Sequence, residues 1–98
     1  PLAPGSTDSD FLHAWSRIES LVEGHKPEFI IFQAGVDSMD GDPLAHLQFS
    51  VAAHAHATRR LLELANKYAS GRLLVYGGGG YNLNNVVKGW CAVCKELI

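Results

Sequence analysis

Apolar residues recur at Phe11, Trp15, Ile18 and Val22, with Ala14 and Leu21 on the same side, and this spacing predicts an amphipathic helix. Thr7, Asp8 and Ser9 stand ahead of it as N-cap candidates, behind a turn-rich leader from Pro1 to Asp8, and Gly24 and Pro27 are expected to end it. The next run, Phe29–Ala34, is short and nearly continuously apolar, the pattern of a strand covered on both faces. From Gly35 to Ser50 the chain carries Gly, Asp, Pro and Ser at close intervals and reads as a long loop. Loops of that length in compact domains are usually functional.

Val51 to about Tyr68 is rich in Ala and Leu, with Ala55, Leu62 and Ala65, or Leu61, Ala65 and Tyr68, at helical intervals until Ser70-Gly71. Arg72–Tyr76 reads as a second buried strand, followed at once by Gly77-Gly-Gly-Gly80-Tyr81-Asn82. Leu83, Val86, Val87, Trp90, Val93 and Leu97 mark a last amphipathic helix. Helix, strand, helix, strand, helix is the order of an α/β layer whose parallel strands are joined by a right-handed crossover. Ligands of such sheets bind beyond the carboxyl ends of the strands. Both unusual loops leave those ends, so they are expected side by side.

Composition narrows the partners. Eight Lys and Arg against ten Asp and Glu leave no basic excess for phosphates, so nucleic acid is not an expected ligand. No apolar run nears the ~20 residues that cross a bilayer, and no signal peptide opens the chain, so a soluble cytoplasmic protein without a membrane partner is expected. With 98 residues, 47% of them hydrophobic, the chain is one unit. A unit of this size buries only about 60–65% of its unfolded surface and is marginal unless its flanks are covered. A start at Pro1 rather than Met fits a piece of something longer.

The first loop holds Asp37, Asp40 and Asp42, and no Lys or Arg lies between Lys26 and Arg59. Carboxylates in such a stretch suit a metal ion or a cationic substrate. Asp40 and Asp42 sit in Asp-Gly and Asp-Pro pairs and read as turn residues. Asp37, nearest the strand end, is the candidate ligand. In the second loop four glycines in succession suit close approach of backbone to a ligand, unusual dihedrals, or tight packing of the last helix. The Lys-Ser/Thr of a phosphate loop is missing, and Asn82 stands where a dinucleotide fingerprint needs glycine. Anion binding at the start of the last helix is a weaker alternative.

Ala34-Gly-Val-Asp37-Ser-Met-Asp-Gly-Asp42-Pro43-Leu44, followed after one helix and one strand by Gly-Gly-Gly-Gly80-Tyr81-Asn82, resembles the C-terminal third of the histone deacetylase superfamily. That group includes the acetoin-utilisation and acetylpolyamine amidohydrolase proteins of bacteria. The leader is similar to the Pro-Leu-x-Pro-Gly segment found there, so the resemblance spans the whole chain. It implies part of an arginase/deacetylase-like α/β fold and residues 1–98 as one C-terminal segment of a catalytic domain. It further implies zinc as cofactor, Asp37 as one of three protein ligands, and Tyr81 as hydrogen-bond donor to the scissile acyl oxygen. Gly79 and Gly80 would supply pocket backbone, and the substrate would be acetyl-lysine, an acetylpolyamine or a related acyl amide.

The superfamily takes its other two ligands from an Asp-x-His segment and its general base from a His-His pair, and this chain has neither. Three protein ligands are the norm for catalytic zinc, so the 98 residues are expected to be inactive alone and to bind no zinc by themselves. His54 and His56 are two apart on one helix and diverge by about 200°. No metal role is assigned to them or to His13, His25 and His46. Cys91-Ala-Val-Cys94 lies inside a helix, and Cys94 is expected to pack beside Trp90. A free-standing, non-catalytic module that self-associates or docks on a partner through uncovered apolar surface is the alternative.

Overall fold

A computed structural model describes all 98 residues. Thr7 opens helix α1 (Asp8–His25), its backbone N–H donating to the Asp10 carboxylate at 2.9 Å, while Asp8 and Asp10 place negative charge at the helix start. The helix continues through Gly24. It stops where Lys26 turns left-handed at φ 47° and donates its N–H to the carbonyls of Val22 and Glu23.

Strand β1 (Ile30–Gln33), helix α2 (Val51–Tyr68), strand β2 (Leu73–Tyr76) and helix α3 (Leu83–Leu97) follow in the expected order. The strands are parallel, with Ile30 opposite Leu73 and Gln33 opposite Tyr76, and α2 forms the crossover between them. The largest part of the core gathers Trp15 of α1, Ile30 of β1, and Ala57, Leu61, Leu64 and Ala65 of α2, closed by Ala69. Phe11 stacks on Trp15 with ring centres 5.5 Å apart. Helix α3 packs on α2 and buries Val93 and Gly89.

The strands are covered on one face only. Side chains alternate along a strand, so Ile30, Phe32, Leu73 and Val75 turn to the helices and their neighbours turn away. Phe29, Ile31, Leu74 and Tyr76 are 52%, 64%, 51% and 49% exposed. Trp15 of α1 and Ala57, Leu61, Leu64 and Ala65 of α2 meet Ile30 on the core side instead.

The long segment after β1 is tied down along its length. Its second half returns against the leader: the N–H of Gly5 donates to the His46 carbonyl, and that of Gln48 to the Ser6 carbonyl at 2.9 Å. Phe49 exchanges backbone bonds with Ser38 and Asp40, and Ser50 donates its N–H to Asp8 at 2.7 Å while its hydroxyl caps α2. Residues 35–50 therefore have a fixed shape without regular secondary structure.

Candidate functional site at the carboxyl ends of the strands

Gln33 and Tyr76 are paired neighbours, so the chain leaves β1 and β2 at adjacent points. The contact continues beyond the strands. The N–H of Ala34 donates to the Tyr76 carbonyl at 2.9 Å, and that of Val36 to the Gly79 carbonyl at 2.7 Å. The two loops singled out by composition thus run together.

The approach is close enough to require glycine. A Cβ on Gly79 would collide with the Asp37 carboxylate, and one on Gly80 would lie 2.6 Å from Val36 Cγ2. Gly80 also takes φ 151°, a conformation open to glycine and strained for other residues. The glycine run accordingly fits itself against the first loop.

Asp37 sits half-buried at this junction, and its carboxylate accepts no hydrogen bond from the protein. Asp42, five residues on, is its opposite in every respect. It is buried, its Oδ1 accepts the N–H groups of Leu44 at 2.8 Å and Ala45 at 3.1 Å, and its Oδ2 accepts the N–H of Tyr81 at 2.9 Å. Burial alone would raise its pKa, but the N–H groups of Tyr81, Ala45 and Leu44 outweigh that and hold the carboxyl below its ordinary range. The turn expected at Asp42 is present. Its bond across to Tyr81 is the part that residue spacing does not show.

Asn82 is the N-cap of α3, its side-chain oxygen accepting from the N–H groups of Asn84 at 3.0 Å and Asn85 at 3.2 Å. Its amide nitrogen donates to the Gly41 carbonyl at 3.1 Å, and that of the buried Asn85 to the Asp40 carbonyl at 2.8 Å. An Asn just before an amphipathic run is a capping signal, and it was available in the sequence. The phenol of Tyr81 extends from this anchored backbone with its side chain exposed.

His54 is buried on α2 beneath the first loop, its Nε2 donating to the Gly35 carbonyl at 3.0 Å. Its Nδ1 is buried without a partner. Because a carbonyl only accepts, the proton lies on Nε2, and His54 acts as a prop under the segment leading to Asp37. His56 turns elsewhere and meets Trp15 edge-on at 6.5 Å. His13, His25 and His46 are exposed.

Cys94 does not pack as expected. Both thiols are exposed, because Gly89 and Val93, four residues apart, face α2 and the first loop and leave Cys91 and Cys94 on other sides of the helix.

No three His, Cys, Asp or Glu side chains gather into a group able to hold a metal ion. The donor set is one unpartnered carboxylate, Asp37, and a zinc site needs more. These residues alone therefore do not fit a zinc ion. No helix is long and apolar enough to cross a membrane.

A family model described as the histone deacetylase domain matches residues 1–97. The acetoin utilization protein AcuC of Staphylococcus aureus (strain MRSA252) is 36% identical over 100 residues, covering 100% of this chain and 26% of that protein. Histone deacetylase 6 of Arabidopsis thaliana is 36% identical over 92 residues, covering 93% of this chain and 18% of the relative. The crystal structure of the HDA15 HD domain superposes with a TM-score of 0.87 at 31% identity, over 97% of this chain and 26% of that one. The chain thus spans between 18% and 26% of the length of these relatives, with the arrangement of helices and parallel strands preserved. On the family match along nearly its whole length, this chain belongs to the histone deacetylase family.

Proposed function

We propose that residues 1–98 form the C-terminal segment of the catalytic domain of a zinc-dependent deacetylase-type amidohydrolase, acting on acetyl-lysine, an acetylpolyamine or a related acyl amide. One observation carries this reading: a half-buried carboxylate with no protein donor, Asp37, abuts the glycine run that leads to an exposed phenol, Tyr81. A carboxylate meant for structure alone is normally satisfied by N–H groups, as Asp42 is.

In the complete domain Asp37 would be one of three zinc ligands, and the remaining two, with the general base, would come from outside this segment. A zinc ion held there would supply Lewis acidity toward the acyl carbonyl and toward water. Tyr81 donates its phenolic hydrogen to the acyl oxygen as negative charge gathers there, and Gly79 and Gly80 line the edge of the pocket. The isolated segment lacks the other ligands and is inactive.

Replacing Tyr81 with Phe in the complete domain is expected to lower kcat on the order of a hundredfold with zinc content intact, the loss typical of one oxyanion donor. Unchanged turnover removes Tyr81 from the reaction. Asp37→Ala is expected to lose zinc, and full zinc occupancy in that variant refutes the ligand assignment.

A second reading rests on the open sheet face. Phe29, Ile31, Leu74 and Tyr76 form an apolar surface on one side of the parallel pair, which suits a non-catalytic module that self-associates. A monodisperse monomer in sedimentation at several concentrations removes this second reading, whereas association of the isolated chain is compatible with both.

A further inference from the structure

We propose that Asp42 is a positioning residue for Tyr81, fixing through the backbone where the phenol can reach. The inference rests on the reading of Tyr81 as donor to the acyl oxygen.

The Asp42 carboxylate divides its work between its two oxygens. Oδ1 alone serves both N–H groups of its own turn, Leu44 and Ala45, so Oδ2 is left to reach across to Tyr81. This bond is one of three between the same two segments. The other two run from Asn82 to the Gly41 carbonyl and from Asn85 to the Asp40 carbonyl, rising from the N-cap and the first turn of α3. The backbone at Tyr81 and in the residues that follow it is thereby held on the Asp40–Asp42 turn, while its ring stays exposed.

The same turn is rigidly linked to Asp37. The N–H of Met39 donates to the Val36 carbonyl at 3.1 Å, that of Asp42 to the Met39 carbonyl at 3.2 Å, and that of Asp40 to the Phe49 carbonyl at 2.9 Å, with Met39 buried beneath. One stretch of six residues therefore carries the candidate ligand at one end and the anchor of the candidate donor at the other. This stretch, together with the bond from the Val36 N–H to the Gly79 carbonyl, fixes how the backbones that carry the two groups sit against each other. A displacement near 1 Å in such a pair reduces turnover by roughly a hundredfold.

Asp42→Asn tests this with little change of shape. The side-chain oxygen of Asn can keep the local turn, and its NH2 then faces the N–H of Tyr81, donor against donor. In the complete deacetylase domain, assayed on an acetylated-lysine peptide, Asp42→Asn is expected to lower kcat on the order of tenfold or more with KM nearly unchanged. In the Tyr81→Phe background the same change is expected to have little further effect, because the group it positions is gone. Amide hydrogen exchange should quicken on the order of tenfold at Tyr81 while Leu44 and Ala45 stay protected.

Equal losses from Asp42→Asn in the two backgrounds, or unaltered exchange at Tyr81, overturn the proposal and leave the Tyr81 reading standing. Undiminished turnover in Tyr81→Phe overturns that reading and this inference with it. Should Asp42→Asn not fold, Asp42→Ser, which keeps an acceptor for the local turn, is read on the same scale.

Discussion

The Asp37 carboxylate lies against the backbone of Gly79, so close that a single methyl group on that glycine would collide with it. The glycine therefore sets the place of the carboxylate. Gly79→Ala is expected to displace Asp37 and weaken zinc binding by the complete domain about tenfold or more, the scale of lost support around a metal ligand. Metal content after dialysis against a buffered series of zinc concentrations checks this. An unshifted binding curve shows that Asp37 does not need the space.

Helix α3 docks on the first loop through another missing side chain. A Cβ at Gly89 would lie 2.6 Å from Val36 Cγ1 and 3.1 Å from the Met39 sulfur, and both neighbours are buried. Val36, one residue before Asp37, must shift to make room. Gly89→Ala is expected to destabilise the fold by about 1–3 kcal/mol in spite of the better helix propensity of alanine, because overpacking outweighs it. Denaturant unfolding of the parent and variant measures the difference.

The five elements, their order and the meeting of two loops follow from patterns that a single strand of text carries: apolar periodicity, glycine clusters and the direction of a crossover. Asp37 could be singled out because it sits nearest the strand end in a loop without cations, whereas Tyr81 took a role only from the resemblance to the deacetylases. Asp42 could not be given its wider role, since the bond to Tyr81 spans 39 positions and leaves no local trace beyond a turn signature. The same limit applies to Gly79 and Gly89, whose reasons lie in Asp37 and Val36 rather than in their own neighbours. The strands read as doubly covered because their composition answers to both faces, whereas this stretch of chain supplies helices to one.

Glu19 joins α1 to α2, accepting from Arg60 Nε at 2.8 Å and from the indole of Trp15 at 3.0 Å. The hydrogen bond from Arg60 holds its carboxyl below the ordinary range, against the opposing effect of burial, with further help from the Arg60 charge and Trp15. A carboxylate with a depressed folded pKa stabilises the fold above its unfolded value, and that stabilisation fades as pH falls through the folded one. Glu19→Gln is accordingly expected to unfold at a lower temperature than the parent at pH 7. The gap should narrow as pH falls below about 4, where the parent loses the same charge. Thermal melts from pH 7 to 2.5 show it, and a gap independent of pH assigns the effect to packing.

The open sheet face makes its own prediction for the 98-residue chain. Ile31 and Leu74 are partners across the parallel pair, with Phe29 and Tyr76 two residues away on the same side, so four large apolar groups form one continuous surface. Fully burying a side chain such as Ile or Phe contributes about 1.5–3 kcal/mol, and several together favour association at micromolar to millimolar concentration. Ile31→Lys places a charge in the middle of this surface without touching the core, because Ile31 faces away from α2. The parent chain is expected to sediment with a concentration-dependent mass and the variant as a monomer with unchanged helical circular dichroism. Equal masses for the two at all concentrations show that this face does not drive association.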